Sequence, residues 1–289
     1  LSQMSLARAL GIDRSTLVPI LDRLQARALL VRRRHGVEPT PAGETLLEHA
    51  RAMLASARHA ERDMAAYSAG VKGQVRVLAT ASVLAESLAD DVAAFLRRPE
   101  HADIRVDLEE RVSTEVVRGI RQGSASLGLC WASSHSVDLS DLQTRPYRTD
   151  HLAVVVHPSH PLAKKRQLSF ADTLAYEQVV MPLASAVNLM LQRAAAALGQ
   201  SVQQRVVVSS FEAALRVVQA GLAISVVPRE VAQFYAATHK LRIVGLNEPW
   251  AQRQFAVCFK DAAVLSPAAE LLLAHLVAAG RSQAPAAPG

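Results

Sequence analysis

Arginine dominates the opening forty residues: Arg8, Arg14, Arg23, Arg27, Arg32, Arg33 and Arg34 face only three acids, Asp13, Asp22 and Glu38. The 289-residue chain has a formal net charge of +6, so this stretch holds most of the positive excess. Guanidinium forks match phosphate oxygens and each neutralised phosphate releases a counterion, so the cluster Arg32, Arg33, Arg34 suits a nucleic-acid backbone. Just before it, LARALGIDRSTLVPILDRLQ reads as two short helices joined by a turn at Gly11, which tolerates positive φ, with Asp13 placed to cap a helix starting at Arg14. The first turn of that second helix offers Arg14, Ser15 and Thr16, the part of a recognition helix that meets base edges. With Arg23 and the three clustered arginines, these are the DNA-binding candidates.

A second set of chemically useful residues is hydroxylic and lies where strand patterns give way to helix patterns. Thr80 and Ser82 follow QVRVLAT, Ser113 and Thr114 follow DIRVDLEE, Leu183 and Ser185 follow QVVMP, and Ser209 and Phe211 follow QQRVVVSS. Hydroxyls and free N–H groups at helix N-termini host carboxylates and other small anions. Each such Ser or Thr also reads as an ordinary helix cap. Trp131, after SLGLC, reads either as a stacking surface for an effector or as a plug in the core.

Covalent catalysis and metal chemistry have no comparable pattern. The sequence holds no nucleophile elbow, no HExxH, no paired Cys/His ligand spacing and no glycine-rich phosphate loop. Cys130 and Cys258 sit in apolar strand-like segments and read as small buried residues. His49, His59, His157 and His160 read as solvated or capping. No cofactor or metal is expected. The longest apolar runs, LAVVV at 152–156 and GLAISVVP at 221–228, are too short to cross a bilayer, and no charged-then-apolar leader is seen. A soluble, cytoplasmic protein without membrane partners is expected.

Three kinds of element must position these groups. After Pro41 a helical stripe runs from Ala42 to about Ala69, through Leu46, Leu47, Ala50, Met53, Leu54, Ala57, Ala60, Met64 and Tyr67, suited to pairing with its own copy in a dimer. Gly70 and Gly73 mark a hinge. From Gln74 the pattern alternates strand and helix, which predicts a parallel-sheet α/β region. Its strands are QVRVLAT, DIRVDLEE, SLGLCWA, LQTRPY, HLAVVVH, QVVMP, QQRVVVSS, AISVVP, LRIVGL and QFAVCFK, with a last helix from Pro267 to Ala278. RSQAPAAPG at 281–289 has no apolar period and reads as disordered.

LARALGIDRSTL with PTPAGETLLEHARAML, followed by GQVRVLAT and FEAALRVVQAGLAISVVP, resembles the LysR-type transcriptional regulators over nearly the whole chain. The resemblance implies a winged helix-turn-helix over 1–41, a linker and dimerisation helix over 42–72, and an effector-binding domain of periplasmic-binding-protein type over 73–280. That domain would comprise two Rossmann-like α/β subdomains, one of residues 73–160 and 252–280, the other of 161–251, with a cleft between them. The fold class is then α/β with a winged-helix N-terminal domain. The family's initial helix is absent from the sequence as given. Pro19 falls inside the presumed recognition helix, where it lacks a donor and crowds the carbonyl of Ser15, so a kink is expected there. IDRSTLVPILDRLQARALLVRRR is also similar to a MarR-type winged helix.

The reading is a dimeric or tetrameric DNA-binding regulator, not an enzyme, that responds to a small, anionic organic effector. A solute-binding protein and a small-molecule enzyme on the same scaffold are the alternatives; the first would not need the basic head, and the second lacks a catalytic constellation. Replacing Arg33 and Arg34 by Ala should weaken binding to every duplex and flatten its salt dependence by about one unit of slope per lost phosphate contact. Changing Arg14 or Thr16 should instead alter sequence preference. Fluorescence anisotropy against specific and random duplexes over a salt series reads both.

Overall fold

A computed structural model describes residues 7–8, 11–33, 36–68, 73–132 and 137–282. The chain divides into two compact units: the first spans Leu1–Arg62, and the second starts at Asp63 and holds the remainder apart from Gln122–Ser124.

In the first unit, helix α1 (Arg14–Ala26) is followed by a two-stranded antiparallel wing, β1 (Leu30–Arg33) and β2 (Gly36–Pro39), and then by α2 (Pro41–Ser68), whose residues from Asp63 on are assigned to the second unit. Leu17, Leu21 and Leu30 are buried with Ala7, with Ile12, Leu24 and Val37 packed around them. Gly11 takes φ +63°, as the turn requires. Asp13 occupies the cap position of α1, but its carboxylate accepts no cap hydrogen bond; the backbone carbonyl of Asp13 accepts from Thr16 and Leu17 instead. The helix also continues through Pro19, which is exposed. Gly43, in TPAGE, lies so close to the wing that a Cβ there would stand 1.8 Å from the Leu29 carbonyl oxygen. Thr40 completes that junction, its Oγ1 donating to the Ala28 carbonyl at 2.6 Å and accepting from Gly43 N–H.

The second unit opens with β3 (Gly73–Ala79), α3 (Ala81–Val83), a π-helical turn Leu84–Leu88, α4 (Ala89–Leu96), β4 (Ile104–Glu110), α5 (Ser113–Arg121) and β5 (Leu127–Trp131). Strands β4, β3 and β5 are parallel neighbours. Gly73 is the first residue of β3, paired with Ile104, rather than part of a hinge; Gly70 lies outside the described residues.

Next comes β6 (Gln143–Val156), one fourteen-residue strand where the sequence suggests two, LQTRPY and HLAVVVH. The polar run Arg148-Thr149-Asp150-His151 causes that misreading. Beyond β6 lie β7 (Gln167–Leu168), α6 (Phe170–Thr173), β8 (Gln178–Val180), α7 (Ala186–Ala197), β9 (Gln204–Val207), α8 (Phe211–Gln219), β10 (Ser225–Pro228), α9 (Arg229–His239), β11 (Arg242–Leu246), β12 (Gln252–Phe259) and α10 (Pro267–Ser282). The helix α10 thus runs to Ser282, past the point where a disordered tail is expected; residues 283–289 lie outside the described ones.

Strand β6 belongs to both halves of this unit. Residues 143–151 pair antiparallel with β12, which pairs antiparallel with β5, while Leu152–Val156 pair antiparallel with β10 and β11. The sheet is therefore mixed rather than parallel, because two strands carry the chain across and back. The crossing falls at His151 and Leu152, earlier than the boundary at residue 160 that the sequence suggests. Each half has its own core: Phe95, Leu127, Leu129, Phe255 and Leu272 in one, Phe170, Leu191, Leu215, Ile224 and Val227 in the other. Trp131 packs against both.

At the crossing, Arg253 faces Asp150 across the strands, and both are essentially buried. Nε of Arg253 donates to Asp150 Oδ1 at 2.7 Å and Nη2 to Oδ2. Burial pushes the Asp150 carboxyl up, against the pull of Arg253. Removing one partner leaves an uncompensated buried charge, so Arg253→Met should cost about 3–5 kcal/mol. The double variant Asp150→Leu/Arg253→Met should recover most of that loss in urea unfolding.

Candidate effector cleft

The loops after β3, β4, β8 and β9 bring four helix N-termini to one cavity of about 260 Å³. Thr80 and Ser82 come from the start of α3, Ser113 from α5, Ser185 from the cap of α7, and Ser209 and Phe211 from the start of α8. The geometry follows from the fold: in an α/β sheet the strand ends leave helix N-termini and their unpaired N–H groups pointing outward together. Thr80 and Ser82 are buried, and Thr80 caps its helix by position without a side-chain bond. Ser185 is engaged as a true cap, its Oγ accepting from Asn188 N–H at 3.2 Å. Ser210 caps α8 in the same way. Ser113 differs: it is buried, and among the described residues its Oγ has no hydrogen-bond partner.

Of the hydroxylic and aromatic candidates, Thr80, Ser82, Ser113, Ser185, Ser209 and Phe211 are brought together. Thr114 is exposed one position along α5 and lines no part of the cavity. Leu183 is 64 % exposed and likewise outside it. Trp131 is spent on packing the two cores. Thr114 and Leu183 lie a few residues beyond the ends of β4 and β8, and Trp131 ends β5, and sequence spacing alone does not say which side chain there turns inward. Sequence reasoning missed Glu110, Arg111 and Glu115. Arg111 ion-pairs with Glu109 and donates to the Glu110 carbonyl, keeping a part-exposed cation at the wall. Its place directly after DIRVDLEE was the available signal.

In the head, Ser15, Thr16 and Arg23 are exposed, and Arg14 is the first residue of α1. Arg32 pairs with Asp22 at 2.5 Å and Arg33 with Glu38 at 3.0 Å, both at the surface. Arg34 lies outside the described residues. Elsewhere, His157 bonds Ser159, and His160 caps the Leu162 N–H. Cys130 and Cys258 are buried free thiols. No group of His, Cys, Asp and Glu suited to a metal occurs among the described residues, and none of their helices is long and apolar enough to cross a membrane.

Two α/β subdomains joined by crossing strands, with a cavity at their convergent helix starts, define the architecture of a small-molecule-binding module. The family model for the LysR substrate binding domain matches residues 68–281, and the chain belongs to the LysR family of transcriptional regulators. It is 26 % identical over 267 residues to the HTH-type transcriptional regulator GbpR of Azospirillum brasilense, covering 92 % of this chain and 77 % of that protein. The effector binding domain of QuiR in complex with shikimate superposes with a TM-score of 0.62 at 19 % identity, over 73 % of this chain and 98 % of that one. Full-length CbnR complexed with its target DNA superposes at 0.63 with 22 % identity, over 98 % and 94 %.

Ser113→Ala should leave the stability of the ligand-free protein within about 1 kcal/mol of the parent, since no bond is lost, while weakening effector binding. Thermal unfolding paired with titration calorimetry separates the two effects.

Proposed function

We propose that the chain is a cytoplasmic regulator that binds DNA through the head and closes its two subdomains on a small organic anion in the cleft. The observation that carries this reading is the convergence of four helix N-termini on one cavity with an unpartnered buried hydroxyl and Arg111 at the wall. Positive helix ends, hydroxyl donors and a guanidinium together favour a carboxylate. Shikimate, bound by QuiR, has that chemistry. The ligand acts through its different affinity for open and closed arrangements, and a coupling of about 1–3 kcal/mol is enough to change DNA affinity.

Arg14, Ser15 and Thr16 read bases, with Arg23, Arg32, Arg33 and Arg34 on phosphates. Exposed Leu46, Leu47, Met53 and Leu54 on α2 suit pairing with a second copy, in a dimer or a tetramer built from dimers. Two heads related by a two-fold axis then reach successive major-groove faces.

Calorimetric titration with shikimate and a panel of small carboxylates, followed by operator binding with and without the hit, tests the reading. Ser82→Trp and Ser209→Trp should abolish the ligand response while leaving DNA affinity within about twofold. Loss of DNA binding in these variants, with the ligand response intact, would contradict the assignment.

A further inference from the structure

The chain crosses one of its own strands to reach β7. Strand β11 lies between β6 and β7 in the sheet, so residues 157–166, which join β6 to β7, must pass the start of β11 to reach its far side. The register fixes the crossing. Arg242, first in β11, pairs with Val156, last in β6, and Gly245 pairs with Gln167, first in β7. The Gly245 N–H donates to the Arg166 carbonyl at 3.2 Å, and a 3-10 turn over Pro161–Lys164 shapes the rest of the connection. Neighbouring strands lie about 4.8 Å apart, so the crossing spans about 10 Å.

This topology gathers five cations at one pole of the second subdomain. They are Lys164, Lys165 and Arg166 on the connection, Lys240 at the end of α9 and Arg242 on β11, all exposed. Neither 157–168 nor 240–247 contains an acid, whereas beyond residue 40, with these five set aside, Asp and Glu outnumber Lys and Arg. Among the described residues only Lys165 of the five has an ion pair, with Asp172 at 3.5 Å. An ordinary solvated surface intersperses both signs. Lys240 also holds φ +53°, the left-handed conformation in which helices commonly end on glycine. A lysine stands where glycine would be unstrained, and packing does not account for it, because the residue is exposed.

The pole lies at the other end of the strands from the effector cleft. Strand β10 starts beside the end of β6, and β8 starts beside β10 through Gln178 and Ile224, so β8 runs from this pole towards the cavity. None of the five cations lines that cavity. They are spread over a surface, where a small anion would touch one or two of them. A polyanion with regularly spaced phosphates engages several and releases counterions as it does so.

We propose that this pole binds the phosphate backbone of duplex DNA outside the sequence read by the head. The proposal rests on the reading of the head as the DNA reader. Backbone contacts of this kind add affinity without sequence preference. Once the head is bound, the second contact is intramolecular, so even a weak attraction holds flanking duplex.

The test is fluorescence anisotropy with the full chain on random-sequence duplexes of about 20 and about 60 base pairs over a salt series. Lys164→Ala/Arg166→Ala/Arg242→Ala should weaken binding to the longer duplex at least about tenfold, flatten its salt dependence by about 0.9 units of slope per lost phosphate contact, and leave the shorter within about twofold. Arg33→Ala/Arg34→Ala in the head should weaken both. Lys240→Gly, which relieves the backbone, should keep or raise the melting temperature and still weaken binding to the longer duplex. Both native thiols are buried, so Gln167→Cys can carry a thiol-directed photo-crosslinker, and irradiation should join it to the longer duplex. The proposal is overturned, with the head's role intact, if the triple variant binds both duplexes like the parent while the head variant loses both. A crosslinker that attaches to no DNA, or only to protein, also overturns it. If the parent binds neither duplex, the reading of the head fails and the pole's role fails with it.

Discussion

Where the chain passes between its two α/β subdomains, two strands lie side by side and a buried arginine grips a buried aspartate across them. That bidentate contact between Arg253 and Asp150 sets the register of β6 on β12 at the one place where a slip would misalign both halves at once. A shift by one residue would turn both charges out of their partner's reach and strand them in an apolar interior, at a cost of several kcal/mol. A hydrophobic pair of the same size would tolerate sliding; a charge pair does not. The register shift between Gln254 and Ala256 directly follows, adding local twist where the strand leaves the crossing.

Two independent cores follow from this arrangement. Each subdomain is packed largely on its own side chains, and among the described residues the crossing strands, Trp131 and Ala81 reach across. Close-packed cores resist deformation, so relative motion concentrates at the crossing. A ligand that touches both halves therefore has a lever. The cavity gathers helix starts and hydroxyl donors from both halves, with Glu110, Arg111 and Glu115 on its wall.

The head obeys a different economy of charge. Arg32 and Arg33 rest on Asp22 and Glu38 in exposed ion pairs, contacts that contribute about 0–1 kcal/mol and exchange readily for phosphate. The excess of arginine over acid in the first forty residues keeps positive charge available after these pairs form. Gly43 and Thr40 lock the wing to the start of α2, which explains the TPAGE sequence as a packing requirement.

Apolar periodicity and strand-end hydroxyls in the sequence were enough to determine most of the order of helices and strands, the short β7 and α6 excepted, and most of the helix starts that meet at the cavity. Those are local properties: a period of two or 3.6 and a capping residue act within a few positions of the chain. Local reading broke β6 in two, because Asp150 looks like an interruption until Arg253, about a hundred residues later, is seen to neutralise it. It also missed Arg111, and gave no hint that Lys164 and Arg166 meet Lys240 and Arg242 at one pole. Which polar residue ends buried, paired or orphaned depends on partners distant in sequence, and only the tertiary structure brings them within hydrogen-bonding range.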